Sequence, residues 1–164
     1  MPIRPLFSGR DESIEGFEAA AENMYEAGFN LMASAQSGQG VYLMGYVAEM
    51  LLKSAYFRLR GFADPQIIMM SDLRDAVHRH HLTLPTEKYH DLELWAQLII
   101  KERVLVSLSN LRVERDLQTT TTRLNTNWSV KMRYHPLLGV ARQDLEDVLD
   151  DVVWLKSNHN DFWR

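Results

Sequence analysis

The chain has 164 residues and a mass of 19.1 kDa, which fits a single domain covering residues 1–164, because two half-sized domains would each have a thin core. A content of 46% hydrophobic and 24% charged residues excludes a disordered chain, and the lack of cysteine excludes disulfides, thiol nucleophiles and thiolate zinc sites. The net charge of −4 argues against nucleic-acid binding through bulk charge.

The sequence has no uncharged apolar run near the ~18 residues that a membrane span needs. We therefore expect a cytoplasmic protein without membrane contact. The charge is uneven along the chain, since residues 51–140 carry 13 basic and 9 acidic side chains whereas the two ends are acidic. A local basic face in this middle region would either contact an anionic ligand or pair with the acidic ends.

Two helices are predicted in the first third of the chain. Apolar residues at three-and-four spacing predict the first over Glu12–Gln36, and the glycines of Ser37–Gly40 predict a turn after it. The second, Val41–Leu59, is apolar on most sides and is expected at the centre of a bundle. Glu49 and Lys53 stand four residues apart on it, which is typical of a surface ion pair.

The middle of the chain is less regular. Asp64-Pro65 opens a short helix, Gln66–Arg79, and the next helix begins near His90 with Asp91 in its first turn. The Val104–Leu108 segment alternates like a strand but has no partner strand, so we interpret it as helix. The four threonines Thr119–Thr122 predict a break.

The last third contains a connector, a helix and a tail. The connector runs from Trp128 to Pro136, and strict three-and-four spacing predicts a helix over Leu137–Ser157. The apolar tail, His159–Arg164, should dock on the body or on a neighbouring subunit. The whole pattern predicts an all-α bundle of four long helices and a short one.

The sequence lacks the known motifs for phosphate, dinucleotide and zinc binding, and it lacks the motif that surrounds a serine nucleophile. We therefore predict neither a cofactor nor a metal. An Arg–His pair can cleave RNA without a metal, with His as the general base and Arg stabilising charge on the phosphate. Arg74 with His80, and Arg133 with His135, are the two candidate pairs; alternatively, Arg133 and Tyr134 anchor the connector to the bundle.

Three segments in this order resemble a known family. They are residues 45–53 (GYVAEMLLK), residues 90–92 (HDL) followed by Leu94, and residues 128–134 (WSVKMRY). Together they are similar to the second helix, the opening of the next major helix and the segment before the final helix of the HEPN domain.

The resemblance implies a four- to five-helix up-and-down bundle that forms a homodimer. It implies ligand-binding residues at the matching positions, which are Glu49, Lys53, His90, Asp91, Arg133 and Tyr134. Active members are RNases with an Arg, four to six residues and then a His late in the domain, whereas one residue separates Arg133 from His135 here.

This departure favours a non-catalytic module that dimerises and binds a nucleotide, RNA or a partner protein. The first alternative is a metal-independent toxin-type RNase of a toxin–antitoxin or defence system, partnered by a nucleotidyltransferase antitoxin. The second alternative is a purely structural scaffold dimer.

Overall fold

The computed structural model describes residues 12–34, 36–85, 88–134 and 140–164, with backbone alone at 133 and 134. Within these ranges the chain is all-helical and has no strand, as predicted. Six α-helices are present rather than the predicted four to five: α1 (Ile14–Met32), α2 (Ser37–Leu59), α3 (Met70–Arg79), α4 (Leu92–Leu105), α5 (Leu111–Asn127) and α6 (Arg142–Asn158). Short 3₁₀ helices cover Lys88–His90, Val130–Tyr134 and His159–Phe162.

The helices α1 and α2 form a closely packed antiparallel pair. Ser13 caps α1 by accepting a hydrogen bond from the backbone N–H of Gly16 at 3.0 Å. The predicted turn at Ser37–Gly40 is wrong, because these residues form the first turn of α2. A Cβ atom at Gly40 would lie 2.3 Å from Met32 Cγ and 2.8 Å from Met32 N, so this glycine serves close helix approach rather than a turn.

The helix α2 is the centre of the bundle, as its composition predicts. It packs against α1, α4 and α6, and 14 of its 23 residues are buried. Glu49 of α2 meets His90 just before α4, and Arg60 just after α2 meets Glu102 near the end of α4. The two helices therefore run in the same direction, and the long connection through α3 returns the chain to the starting end, which departs from a strict up-and-down order.

Residues 102–127, whose sequence pattern is irregular, contain the end of α4 and the whole of α5. Val104 and Leu105 end α4, and the chain then turns at Ser107, whose φ of 61° is left-handed. Asn110 caps α5, because its Oδ1 atom accepts hydrogen bonds from the backbone N–H groups of Arg112 and Val113. This break has neither glycine nor proline, so the usual signals do not mark it.

The predicted break at the four threonines is also wrong, since they lie inside α5. The hydroxyl groups of Thr119 and Thr121 donate to carbonyl oxygens one turn earlier, at 2.8 and 2.9 Å. Thr121 is completely buried. Burial of one face of α5 therefore overrides the poor helix propensity of threonine.

The C-terminal tail docks on the body of the protein. Phe162 is completely buried, and Arg103 of α4 donates to the carbonyl oxygens of Asp161 and Phe162 at 2.6 and 2.8 Å. The helix before it, α6, begins at Arg142, and the predicted start at Leu137 lies outside the described residues. None of the described helices is both long and apolar enough to cross a membrane.

Candidate functional site

The three segments that carry the family resemblance meet at one end of the bundle. Trp128 lies directly against Gly45 of α2, where an added Cβ atom would come within 2.0 Å of Trp128 Nε1. The same indole nitrogen donates to the carbonyl oxygen of Tyr42 at 3.0 Å. Gly45 is therefore required for the close approach of the Trp128 ring, and the first and third segments are in contact.

The second segment joins this contact through aromatic rings. Tyr46 packs edge-on against Trp128, with ring centroids 5.6 Å apart, and edge-on against His90 at 6.2 Å. Tyr42 packs edge-on against Tyr46 at 5.1 Å. Such edge-to-face pairs hold rings in defined orientations. Tyr46 is thus the common neighbour of the second and third segments.

A buried carboxylate lies beneath this aromatic group. Glu49 is completely buried, and its Oε1 atom accepts a hydrogen bond from Lys53 Nζ at 2.5 Å. Both of its carboxylate oxygens lie within 3.2 Å of His90 Nδ1, with Oε2 the closer at 3.0 Å. The predicted surface ion pair between Glu49 and Lys53 is therefore wrong. The two residues face the core because α2 is covered on all sides.

Lys53 is enclosed together with its partner. Its ammonium group lies 5.5 Å from the Trp95 ring centroid and 5.8 Å from that of Phe17, and the residue is only 7% exposed. A buried ammonium next to a buried carboxylate gives a neutral pair, which removes the cost of two isolated charges. Lys53 therefore stabilises the Glu49 carboxylate and does not present its charge at the surface.

His90 is the part of this cluster that reaches solvent. Its side chain is 42% exposed, whereas that of Glu49 is completely buried. Because Nδ1 is directed at the Glu49 carboxylate, that contact favours the tautomer with the proton on Nδ1 and leaves Nε2 for a ligand. Nε2 can then accept a proton or, once protonated, donate a hydrogen bond to an anion.

The Asp91 side chain caps the start of α4 instead of forming part of a binding surface. Its Oδ1 atom accepts from the backbone N–H of Leu94 at 2.9 Å and from Asn125 Nδ2 of α5 at 3.4 Å. The Asn125 side chain in turn accepts from the backbone N–H of Leu92 at 3.2 Å. These bonds join α4 to α5 and fix the position of His90, which immediately precedes Asp91 in the chain.

The candidate pair Arg74 and His80 belongs to α3 and to the residue that follows it, and His80 lies at the far end of α4. His80 is buried, with Nε2 2.9 Å from the Glu102 carboxylate but outside hydrogen-bond geometry, whereas Arg74 is exposed on α3. Burial lowers the pKa of His80, although the Glu102 carboxylate opposes this shift. The fold therefore places the two members of this candidate pair in different environments, one enclosed and one in solvent.

The remaining candidate pair cannot be placed at the level of side chains. His135 and the side chains of Arg133 and Tyr134 lie outside the described residues. The backbone of the Val130–Tyr134 3₁₀ helix follows Trp128 and packs on α2. In the described ranges no three His, Asp or Glu side chains are grouped so as to hold a metal ion.

Sequence reasoning missed Tyr46, Asn125 and Glu102. Tyr46 lies within the first resembling segment, so its position between two predicted site residues was the available signal. Asn125 and Glu102 have no local signal, because their partners lie 22 to 42 residues away in the chain. None of the known family models, curated proteins or solved structures matches this chain.

Proposed function

We propose that this protein is a non-catalytic helical module of the HEPN type that binds a nucleotide or RNA around the exposed His90, whose ring is supported by Tyr46 and, behind it, by the buried Trp128. The observation that carries the proposal is the hydrogen bond between His90 and the buried Glu49. It joins two segments that the resemblance identifies from sequence alone. The third segment meets them through Trp128 and Tyr46.

The chemistry of the exposed edge supports an anionic ligand. In its protonated form, the imidazole of His90 donates a hydrogen bond through Nε2 to an acceptor oxygen of a ligand. Tyr46 places the edge of an aromatic ring beside it, and Lys88 lies exposed in the same 3₁₀ helix as His90. Phosphate oxygens are acceptors for such donors, and aromatic rings contact bases.

The test is binding of a short fluorescein-labelled single-stranded RNA and of ATP, measured by fluorescence anisotropy and calorimetry. His90→Ala should weaken binding about tenfold, since a hydrogen bond to a charged group contributes roughly 1.5 kcal/mol. His78→Ala is the matched control, because His78 is an exposed histidine on α3. Equal affinity of wild type and the folded His90→Ala variant for both probes would contradict the proposal.

The same geometry favours one alternative, a metal-independent RNase. In that reaction His90 Nε2 takes the proton of a ribose 2′-hydroxyl, and the 2′-oxygen attacks the adjacent phosphorus. The bond from phosphorus to the 5′-oxygen breaks, and the 5′-oxygen takes a proton from water, leaving a 2′,3′-cyclic phosphate. The buried Glu49 would orient the imidazole, as a carboxylate does in other acid–base dyads.

RNA cleavage in the presence of a chelator separates the two functions. If the protein is an RNase, the wild type should cleave RNA, and the rate of cleavage should fall at least about 100-fold in His90→Ala. His78→Ala is its control, since His78 is an exposed histidine on α3. Binding without cleavage supports the module, whereas cleavage that persists in His90→Ala removes His90 as the base.

A further inference from the structure

The three histidines at the end of α3 face two different environments. His80 is buried 2.9 Å from the Glu102 carboxylate, whereas His78 and His81 are exposed. The rings of His78 and His81 lie next to each other, with centroids 6.4 Å apart and planes inclined at 48°. Two imidazoles therefore share one patch of the surface, and the proposed ligand site does not include them.

The backbone turn that ends α3 brings these two rings together. The His81 N–H donates to the His78 carbonyl oxygen at 3.1 Å. The Leu82 N–H donates to the Val77 carbonyl oxygen, also at 3.1 Å, and the two bonds form the Schellman pattern. His81 occupies the left-handed position of this turn, with a φ of 51°. Glycine, as at Gly61 after α2 with a φ of 79°, occupies such a position without the conformational cost that histidine has.

Neighbouring residues fix the backbone of the turn on the bundle. Val77 belongs to the hydrophobic core, and Leu82 packs against this core. The His80 ring lies edge-on to the ring of Tyr56 on α2, with centroids 6.1 Å apart. The backbone of both exposed histidines is thus held in place, and only their side chains have to move to bind a shared ligand. Such preorganisation lowers the entropy cost of binding.

Two neighbouring imidazoles are a ligand pair for a transition-metal ion. Neutral imidazole nitrogens bind Cu²⁺, Ni²⁺ and Zn²⁺, whereas Ca²⁺ and Mg²⁺ prefer oxygen ligands. With each nitrogen about 2.1 Å from the ion, two imidazoles on one tetrahedral ion have centroids about 5 Å apart. The distance of 6.4 Å between the His78 and His81 centroids therefore has to close by about 1 Å, which rotation of exposed side chains allows.

The surroundings of the pair leave the rest of the coordination sphere open. Within the part of the chain that the structure describes, no third His, Asp or Glu joins the pair in a metal-binding group. Arg74 and Asp75, about one turn before His78 on α3, are both exposed and have opposite charges, so together they add no net charge beside it. Arg79 donates from Nε to the Glu102 carboxylate at 3.1 Å. The pair therefore supplies two ligands, and water fills the other positions.

We propose that His78 and His81 bind a divalent transition-metal ion at the surface of the protein, with Cu²⁺ bound more tightly than Ni²⁺ or Zn²⁺. The order follows the general affinity of nitrogen sites for these ions. The metal site is independent of the proposed ligand site. His80 lies beside Glu102 near the end of α4, whereas His90 precedes the start of this 14-residue helix, about 20 Å away.

The test is calorimetric titration of the chelator-treated full chain with CuCl₂, NiCl₂ and ZnCl₂ at about pH 7.5, where free imidazole is neutral. Wild type should bind Cu²⁺ with a micromolar dissociation constant. His78→Ala and His81→Ala should each raise this constant at least about tenfold, because one of two imidazole ligands is lost. Electron paramagnetic resonance of bound Cu²⁺ should show two imidazole nitrogens in wild type. His90→Ala is the matched control and should bind Cu²⁺ like wild type, because it removes a partly exposed histidine at the other end of α4.

His81→Gly separates the metal site from the fold. Glycine keeps the left-handed turn, so in chelator this variant should unfold at a higher temperature than wild type, although it binds Cu²⁺ more weakly. Added Ni²⁺ should raise the unfolding temperature of wild type and leave that of His81→Gly unchanged. The proposal would be overturned by a wild type that binds no Cu²⁺, or by wild-type affinity in folded His78→Ala or His81→Gly. Loss of Cu²⁺ binding in His90→Ala would also overturn it, because the ion would then lie at the other end of α4.

Discussion

Two buried glutamates, Glu49 and Glu102, pair with a histidine each at opposite ends of α4. At the first end Glu49 pairs with one enclosed cation, Lys53, and with His90, whose side chain is 42% exposed. At the second end Glu102 pairs with His80, which is 3% exposed. Arg79 and Arg60 also lie 3.1 and 3.8 Å from Glu102.

The difference lies in which partner reaches solvent. At the Glu102 end the arginines are partly exposed and the histidine is enclosed, so the site has the character of a packed ionic cluster. At the Glu49 end the cation is enclosed and the imidazole is in solvent, so its free nitrogen can meet a ligand. Similar chemistry thus yields a structural cluster at one end and a candidate binding site at the other.

The largest expected effect is at Glu49. Glu49→Ala should lower the free energy of unfolding by about 3–5 kcal/mol, because it leaves the enclosed Lys53 ammonium without its carboxylate. Urea denaturation followed by circular dichroism measures this loss. The double variant Glu49→Gln, Lys53→Met removes both charges and should recover more than half of the stability; equal instability of both variants would contradict a paired buried charge.

A smaller loss is expected at the other end. Glu102→Ala should cost about 1–3 kcal/mol, because Arg79 and Arg60 can turn toward water when their carboxylate is removed. The same urea experiment measures it, with Glu146→Ala on the exposed surface of α6 as the control. A loss at Glu102 larger than that at Glu49 would reverse the comparison.

Stability should also depend on pH through the two enclosed histidines, His80 and His159. Burial is the main cause that lowers the pKa of each, opposed by the nearby carboxylates Glu102 and Glu18, respectively. The unfolded chain therefore binds more protons just below about pH 6.5, and stability that is complete above that value is lost as the pH falls through it.

Urea midpoints measured from about pH 7 to about pH 5 test this dependence. His159→Gln should flatten the profile, since His159 Nε2 lies 2.8 Å from Ser54 Oγ and 3.2 Å from the Leu51 carbonyl oxygen in the core. His78→Gln, an exposed substitution, should leave the profile as in wild type. A flat wild-type profile would show that neither enclosed histidine resists protonation.

The smallest expected effect on the stability of the protein comes from replacing the site histidine, His90. His90→Ala should change the free energy of unfolding by about 1 kcal/mol or less, because the ring is partly solvated and Glu49 keeps Lys53 as a partner. Thermal and urea unfolding measure it beside His80→Ala, for which a larger loss is expected. A larger loss of stability in His90→Ala would show that His90 acts mainly by stabilising the fold.

Local sequence patterns predicted α1 and most of α2 because their apolar spacing agrees with their final burial. They failed at Ser37–Gly40 and at Thr119–Thr122, where weak helix formers are held in helices by neighbours distant in sequence. The candidate site was predicted in part: Glu49 and His90 were both named, but their contact joins residues 41 positions apart. Local spacing instead suggested a surface ion pair for Glu49.

The sequence by itself determined that the described chain is helical and which of its faces are apolar, since helical periodicity is a property of neighbouring residues. Only the tertiary structure decided which polar residues are enclosed. Lys53 and His80 lie in the protein interior while His90 reaches solvent, because α2 and α4 run in the same direction and bring their charged residues together at both ends. Burial depends on the packing of distant segments, and no local pattern encodes it.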